Sequence, residues 1–169
     1  HFDNYFWVEH LPLAYAQKHQ LSPESASEWL KHRLSRDVGT LQWYSPDYWS
    51  QQLDLDVPAL KRELKHMIAV RPYALKFLQQ LHHSHRDVVM VTNAHRKVLE
   101  IKMDQVDITT WFDRVVVSHD FDVPKEQQAF WCKLQELHAF DPARTLLIDD
   151  TESVLHSAQQ YGIAHLLTL

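Results

Sequence analysis

Three groups of residues carry functional groups suited to a single kind of chemistry. Thr92-Asn93 offers a hydroxyl and a carboxamide, Lys125 an ammonium, and Asp149-Asp150 two adjacent carboxylates. A carboxylate pair supplies the hard oxygen ligands that Mg2+ takes. A lysine sets a point charge against phosphate oxygens. A threonine hydroxyl and nearby backbone N–H groups can hold a group whose charge develops during transfer. Together they suit phosphoryl chemistry. Singly, each has a plainer reading: Asp149-Asp150 can cap the helix that follows, and Thr92-Asn93 can be a turn. Lys125 is harder to read as neutral surface. The sequence places it in the first turn of a helix over 124–138, where the helix dipole disfavours a cation.

The order of the surrounding elements brings these groups together. Residues 88–91 are an uninterrupted apolar run, as expected of a strand buried on both faces. Further strands are expected over 114–118 and 145–149, and a fourth begins at 165. Helices over 95–106, 124–138 and 152–161 alternate with them, the last ending at Gly162, a favoured C-cap residue. This alternation predicts right-handed βαβ units and a parallel sheet. Ligands of such sheets bind outside the carboxyl ends of the strands. Thr92-Asn93 and Asp149-Asp150 end strands and Lys125 opens a helix, so all are expected on one edge.

Upstream, the character differs. Residues 4–69 read as four or five helices with no strand, and Trp29, Leu30 and Leu34 recur at helical spacing. Ser22-Pro23, Ser45-Pro46 and Asp56-Val57-Pro58 are N-cap and first-turn signals. Arg71-Pro72, Pro124 and Asp141-Pro142 read as further helix openings, and Pro12 should kink or divide a helical run. An amphipathic helix with Leu75, Leu78 and Leu81 is expected over 72–83. Aromatic residues crowd the first fifty positions. They predict a helical bundle with an aromatic core, with Trp43 or Tyr44 as candidates to stack on a ligand ring.

Composition excludes several alternatives. The only glycines are Gly39 and Gly162. Neither a phosphate-cradling P-loop nor a dinucleotide fingerprint can be built from them. Net charge is −5 with no basic run, so polymeric nucleic acid is not an expected partner, while a small anionic ligand is allowed. No apolar run approaches the about 18 residues of a membrane span, and no signal-peptide pattern opens the chain. The single Cys132 fits a reducing compartment, the cytoplasm. His82, His83 and His85 read as a polar helix terminus, with a metal site as the alternative.

The motifs resemble those of the haloacid dehalogenase superfamily of phosphohydrolases: Thr92 in Val-Thr-Asn the second motif, Lys125 the third, Asp149-Asp150 the acidic fourth. Asp3-Asn4-Tyr5-Phe6-Trp7, Trp43-Tyr44 with Asp47-Tyr48-Trp49, Val91-Thr92-Asn93-Ala94-His95 and Pro124-Lys125-Glu126 extend the resemblance to the bacterial GMP/IMP nucleotidase branch. It implies an α/β fold, a Rossmannoid parallel sheet with an inserted all-helical cap: residues 1–69 as cap, 70–169 as core. The family's first motif, Asp-x-Asp-Gly-Thr, does not occur here. Asp3 is the first acid, with no strand or glycine around it. The family sheet carries that motif on its central strand. The expectation is therefore a core incomplete at the N-terminus, and at the C-terminus too. Strands 88–92 and 145–149 would lack their shared neighbour, and residues 1–169 alone would be inactive.

The resemblance implies Mg2+-dependent hydrolysis of a phosphate monoester through an aspartyl phosphate, with the nucleophile upstream of residue 1. Thr92 and the Asn93 backbone would bind phosphate, Lys125 would offset charge, and Asp150 would hold Mg2+. Asp149 would be a second ligand or would orient Lys125. The implied substrate is a small phosphomonoester, a purine nucleotide of GMP/IMP type. Alternatives are a sugar or small-metabolite phosphatase, or a phosphatase-like binding protein without catalysis. A dehalogenase fits less well, because the carboxylate pair suits a metal. The oligomeric state is left open.

Overall fold

The computed structural model describes residues 2–169; residue 1 of the expected 1–69 span lies outside them. The first part consists of helices joined by turns, with no strand among its described residues. It comprises α1 (Phe2–Tyr5), a π-helical segment (Phe6–His10), α2 (Leu11–His19), α3 (Pro23–Ser35), α4 (Pro46–Leu53) and α5 (Val57–Glu63). Three starts are capped as their sequences predict. Ser22 Oγ accepts from Ser25 N–H, Ser45 Oγ from Tyr48 N–H, and an Asp56 carboxylate oxygen from Ala59 N–H. Pro12 does not divide the first helical run, which continues unbroken over residues 2–19 and only changes from π to α just ahead of it. It sits at the start of α2, just after the π-helical segment, whose wider turn accommodates a residue without an N–H. Phe6, Leu11, Leu30, Trp49, Leu53 and Val57 form the core of this part, and Ile101 from downstream joins it.

The second part alternates. It contains α6 (Ala74–His83), β1 (Val89–Thr92), α7 (Arg96–Gln105), β2 (Arg114–Val117), α8 (Gln128–Leu137), β3 (Leu146–Asp149), α9 (Glu152–Tyr161) and β4 (His165–Thr168). All pairing is parallel. β1 lies on β2 with Thr92 opposite Val117, and β3 on β4 with Asp149 opposite Thr168. The two pairs do not bond to each other, so among the described residues β1 and β3 each keep one unpaired edge. A single cluster seals both pairs from one side: Val116 of β2, Leu147 of β3, Phe130, Trp131 and Leu134 of α8, Val154 and Ala158 of α9. The buried Trp131 indole N–H donates to Ser157 Oγ at 2.9 Å, which satisfies its one polar atom.

Several expectations are corrected. No α-helix starts at Pro124: residues 124–127 form a turn closed by Gln127 N–H to the Pro124 carbonyl, and α8 begins at Gln128. Lys125 therefore lies ahead of the helix, buried. The strands are not buried on both faces: β1 is half-buried and most of β4 is exposed. A strand paired on one side, under a helix layer that closes only one face, leaves its other edge accessible. On α6 only Leu78 is buried, while Leu75 is 43% exposed. Arg71-Pro72 precedes α6 by a turn, with Tyr73 in left-handed backbone (φ 66°), and Asp141-Pro142 opens only a single 3-10 turn. Cys132 is exposed on α8. His82 and His83 occupy the last turn of α6, with His82 edge-on to Trp111. No helix among the described residues is long and apolar enough to cross a membrane.

Just beyond the carboxyl ends of β1 and β2, the rings of His95 and His119 meet edge to face at 4.7 Å. Burial holds both below the ordinary value of 6.5, and for His119 the neighbouring imidazole adds to this. A histidine whose folded pKa lies below its unfolded one favours folding above the unfolded value. That contribution is lost as pH falls through 6.5 toward the folded pKa. The thermal midpoint should therefore drop between about pH 7.5 and about pH 5, and drop less in His119→Gln; equal drops in both proteins would contradict the assignment.

Candidate active site

Thr92 closes β1. Its Oγ1 accepts the N–H of Ala94 at 3.0 Å, turning the chain and leaving the hydroxyl proton free. The next residue does the stitching. Asn93 is buried; its Oδ1 accepts the Lys125 backbone N–H at 3.0 Å, and its Nδ2 donates to Glu126 Oε2 at 2.9 Å. This bond ties the Lys125 backbone to the end of β1. The Lys125 ammonium then donates to Asp149 Oδ2 at 2.5 Å, both side chains 8% exposed. The other Asp149 oxygen accepts Thr151 N–H at 3.0 Å.

Asp149 is thus ion-paired with Lys125. Asp150 differs from it: exposed, it receives only a long bond of 3.4 Å from the Thr151 hydroxyl. No side chain caps α9, so the plainer reading of the aspartate pair as a helix cap does not hold. Thr92, Asn93, Lys125, Asp149 and Asp150 all line one cavity of about 570 Å3. The helical part supplies another wall, with Trp7, Trp43 and Tyr44 among its residues.

Three contributors were not readable as such. Tyr44, a candidate to stack on a ligand ring, lines the cavity and donates its hydroxyl to Glu126 Oε1 at 2.6 Å. Burial raises the Tyr44 pKa and the adjacent carboxylate raises it further, so the donor persists into alkaline solution. Glu126 was visible only as the neighbour of Lys125. Its partners lie 82 and 33 residues away, a separation that leaves no spacing signal. Asp3, without a motif around it, accepts from Lys61 Nζ at 3.1 Å and Lys102 Nζ at 2.6 Å on the same cavity.

The sequence profile of the haloacid dehalogenase-like hydrolases matches residues 14–168. The chain belongs to this family. Among haloacid dehalogenase-like hydrolases, it is 35% identical over 166 residues to the GMP/IMP nucleotidase YrfG of Escherichia coli (strain K12), covering 98% of this chain and 75% of that one. A phosphatase of the same superfamily from Thermococcus onnurineus has the same fold, with a TM-score of 0.83 at 17% identity over 98% of this chain and 78% of that one. A family enzyme from Bacteroides thetaiotaomicron, solved with magnesium and inorganic phosphate, superposes at 0.67 with 15% identity, over 93% and 84% of the two chains. Fold class and family therefore agree with the resemblance read from the motifs.

The hydrogen-bond chain around Asn93 has a measurable cost. Asn93→Ala leaves the buried Lys125 N–H without its acceptor and should lower unfolding stability by about 1–3 kcal/mol. Tyr44→Phe removes one bond and keeps the ring, and should cost about 0.5–1.5 kcal/mol. Urea titration of both variants checks the order; a larger loss in Tyr44→Phe would contradict it.

Proposed function

We propose that the protein is a Mg2+-dependent phosphatase acting on nucleoside 5′-monophosphates of the GMP/IMP type, with residues 2–69 as a cap over the site. The observation that carries the chemistry is the buried Lys125–Asp149 pair, set beside Thr92 and the unengaged Asp150 on one cavity wall. The substrate class is supported by the 35% identity to a GMP/IMP nucleotidase over nearly the whole chain.

The donor set was weighed against Mg2+. Asp150 offers a carboxylate with no cation partner, and Asp149 keeps lone pairs beyond those given to Lys125 and Thr151. No group of three His, Cys, Asp or Glu suited to a metal exists among the described residues. Mg2+ is commonly held by one or two carboxylates, with substrate phosphate and water completing the shell. Asp150 would hold it, with Asp149 as second ligand. When bound, it supplies charge neutralisation at the phosphoryl oxygens.

The chain's own residues act around that centre. The free Thr92 hydroxyl proton and the Asn93 backbone N–H donate to phosphoryl oxygens. Lys125, held by Asp149 at the ammonium and by Asn93 at the backbone, adds a positioned positive charge where negative charge accumulates. The nucleophile in this reading is the aspartate of the family's first motif, for which no residue of 1–169 is a candidate. The phosphoryl group passes to that carboxylate as the leaving oxygen takes a proton from the motif's second aspartate and departs as the alcohol; that aspartate, now ionised, then takes a proton from the water that releases phosphate. The helical wall excludes bulk solvent and contacts the leaving group. Tyr44–Glu126 and the Lys97–Asp47 pair at 2.7 Å join that wall to the α/β part.

In the active enzyme, Lys125→Ala and Asp150→Asn should each lower kcat on GMP and IMP by about a hundredfold or more. Asp150 is exposed, so its variant should keep the wild-type thermal midpoint. Wild-type turnover of sugar phosphates without turnover of nucleotides would overturn the substrate class. Full activity in Asp150→Asn would overturn the site.

A further inference from the structure

Asp3, Lys61 and Lys102 lie on the same cavity as Thr92, Lys125 and Asp149, and the phosphate chemistry uses none of them. They come from three elements, α1, α5 and α7. Lys61 is 3% exposed, with its ammonium 4.1 Å from the Phe6 ring centroid, 5.1 Å from Phe2 and 5.2 Å from Trp7. A cation this deep in aromatic rings needs its carboxylate, and Asp3 provides it. Asp3 is thereby anchored on one oxygen. Its other oxygen takes Lys102, and both of these side chains stay accessible, 37% for Asp3 and 28% for Lys102. Burial alone would raise the Asp3 pKa; the ammoniums of Lys102 and Lys61 outweigh it and hold the group below the ordinary carboxylate value, ionised at neutral pH.

The unused bonding capacity of this pair is specific. A carboxylate can accept about four hydrogen bonds, and an ammonium can donate three. Asp3 accepts two and Lys102 gives one to it. What remains is an acceptor and a donor side by side, facing a cavity. Beside them is a flat platform. Trp7, which also covers Lys61, is stacked on Trp43 at 5.6 Å and 17°, and both indoles line the cavity. A stacking face next to a polar edge is how proteins read a nucleobase: the face holds the ring and the edge checks its hydrogen-bonding pattern.

We propose that Asp3 and Lys102, backed by Lys61 and the Trp7–Trp43 stack, form the base-reading subsite and select 6-oxopurines over adenine. This rests on the nucleotide reading of the same site. A 6-oxopurine presents a carbonyl acceptor at position 6 beside an N–H donor at position 1. Lys102 donates to the first and Asp3 accepts from the second. The 2-amino group of guanine adds a further donor toward the carboxylate, so GMP and IMP are both accommodated. Adenine reverses both groups. Its 6-amino donor meets the ammonium and its ring nitrogen acceptor meets the carboxylate, leaving polar groups mismatched in a partly desolvated site.

The test is the ratio of kcat/KM on IMP to that on AMP, measured in the active enzyme for wild type, Asp3→Asn and Lys102→Met. Inosine and adenosine as competitive inhibitors give a readout free of the phosphate. Asp3→Asn keeps an amide oxygen for Lys61, and Lys102→Met leaves the Asp3–Lys61 pair intact, so at least one variant remains folded for comparison. Each variant should lower the IMP:AMP ratio by about tenfold or more, with inosine losing more affinity than adenosine. An unchanged IMP:AMP ratio in the folded variants, with nucleotides still hydrolysed, overturns this subsite alone. A wild-type enzyme that hydrolyses p-nitrophenyl phosphate but no nucleotide overturns the nucleotide reading, and the subsite with it.

Discussion

Lys125 and Asp149 belong to different halves of the α/β part, and their ion pair is what joins them at the site. Lys125 stands in the turn after β2 and is tied by its backbone to Asn93 at the end of β1. Asp149 ends β3. No main-chain ladder connects β1–β2 to β3–β4 among the described residues. Below the site, the apolar cluster of α8 and α9 holds the two pairs together. At their carboxyl ends, the join is a single 2.5 Å contact between charges that are both almost buried. A charge left alone there costs about 3–5 kcal/mol, so each partner constrains the other's position strongly. The geometry of the candidate site follows from that constraint: Thr92 and Asn93 on one side, Asp150 on the other, the ammonium between.

The helical part is held to this arrangement by polar contacts as well as by packing. On one side, the Tyr44 hydroxyl reaches Glu126, which also accepts from Asn93. On another, Asp3 joins Lys61 of α5 to Lys102 of α7. Both connections end on the cavity wall. A displacement of the helical part would thus be felt by the asparagine that fixes Lys125. Coupling of this kind needs few residues, because a polar group withdrawn from water has a small number of admissible partners.

The fold alone would not decide the chemistry. Phosphatases and L-2-haloacid dehalogenases share it, the latter with TM-scores of 0.56–0.58 to this chain. What bears on the chemistry is local: an exposed carboxylate at Asp150 stands next to the Lys125–Asp149 pair.

The sequence by itself determined what depends on near neighbours. Serine and aspartate caps ahead of α3, α4 and α5 act within one turn, so Ser22, Ser45 and Asp56 were legible. The alternation of apolar runs with helical periods marked all four strands, and strand ends pick out Thr92, Asn93, Asp149 and Asp150 because a parallel sheet always presents that edge. Tertiary structure decided what depends on which elements meet. Lys125 is fixed beside the end of β1 because Asn93, 32 residues away, takes its N–H. The Tyr44 hydroxyl has an acceptor because Glu126 arrives beside it, and Asp3 is anchored because two lysines from distant helices converge on it. The burial of β1 and α6 was overestimated for the same reason. A side chain's hydrophobicity is written in the sequence, but whether another layer covers it depends on the whole assembly of elements.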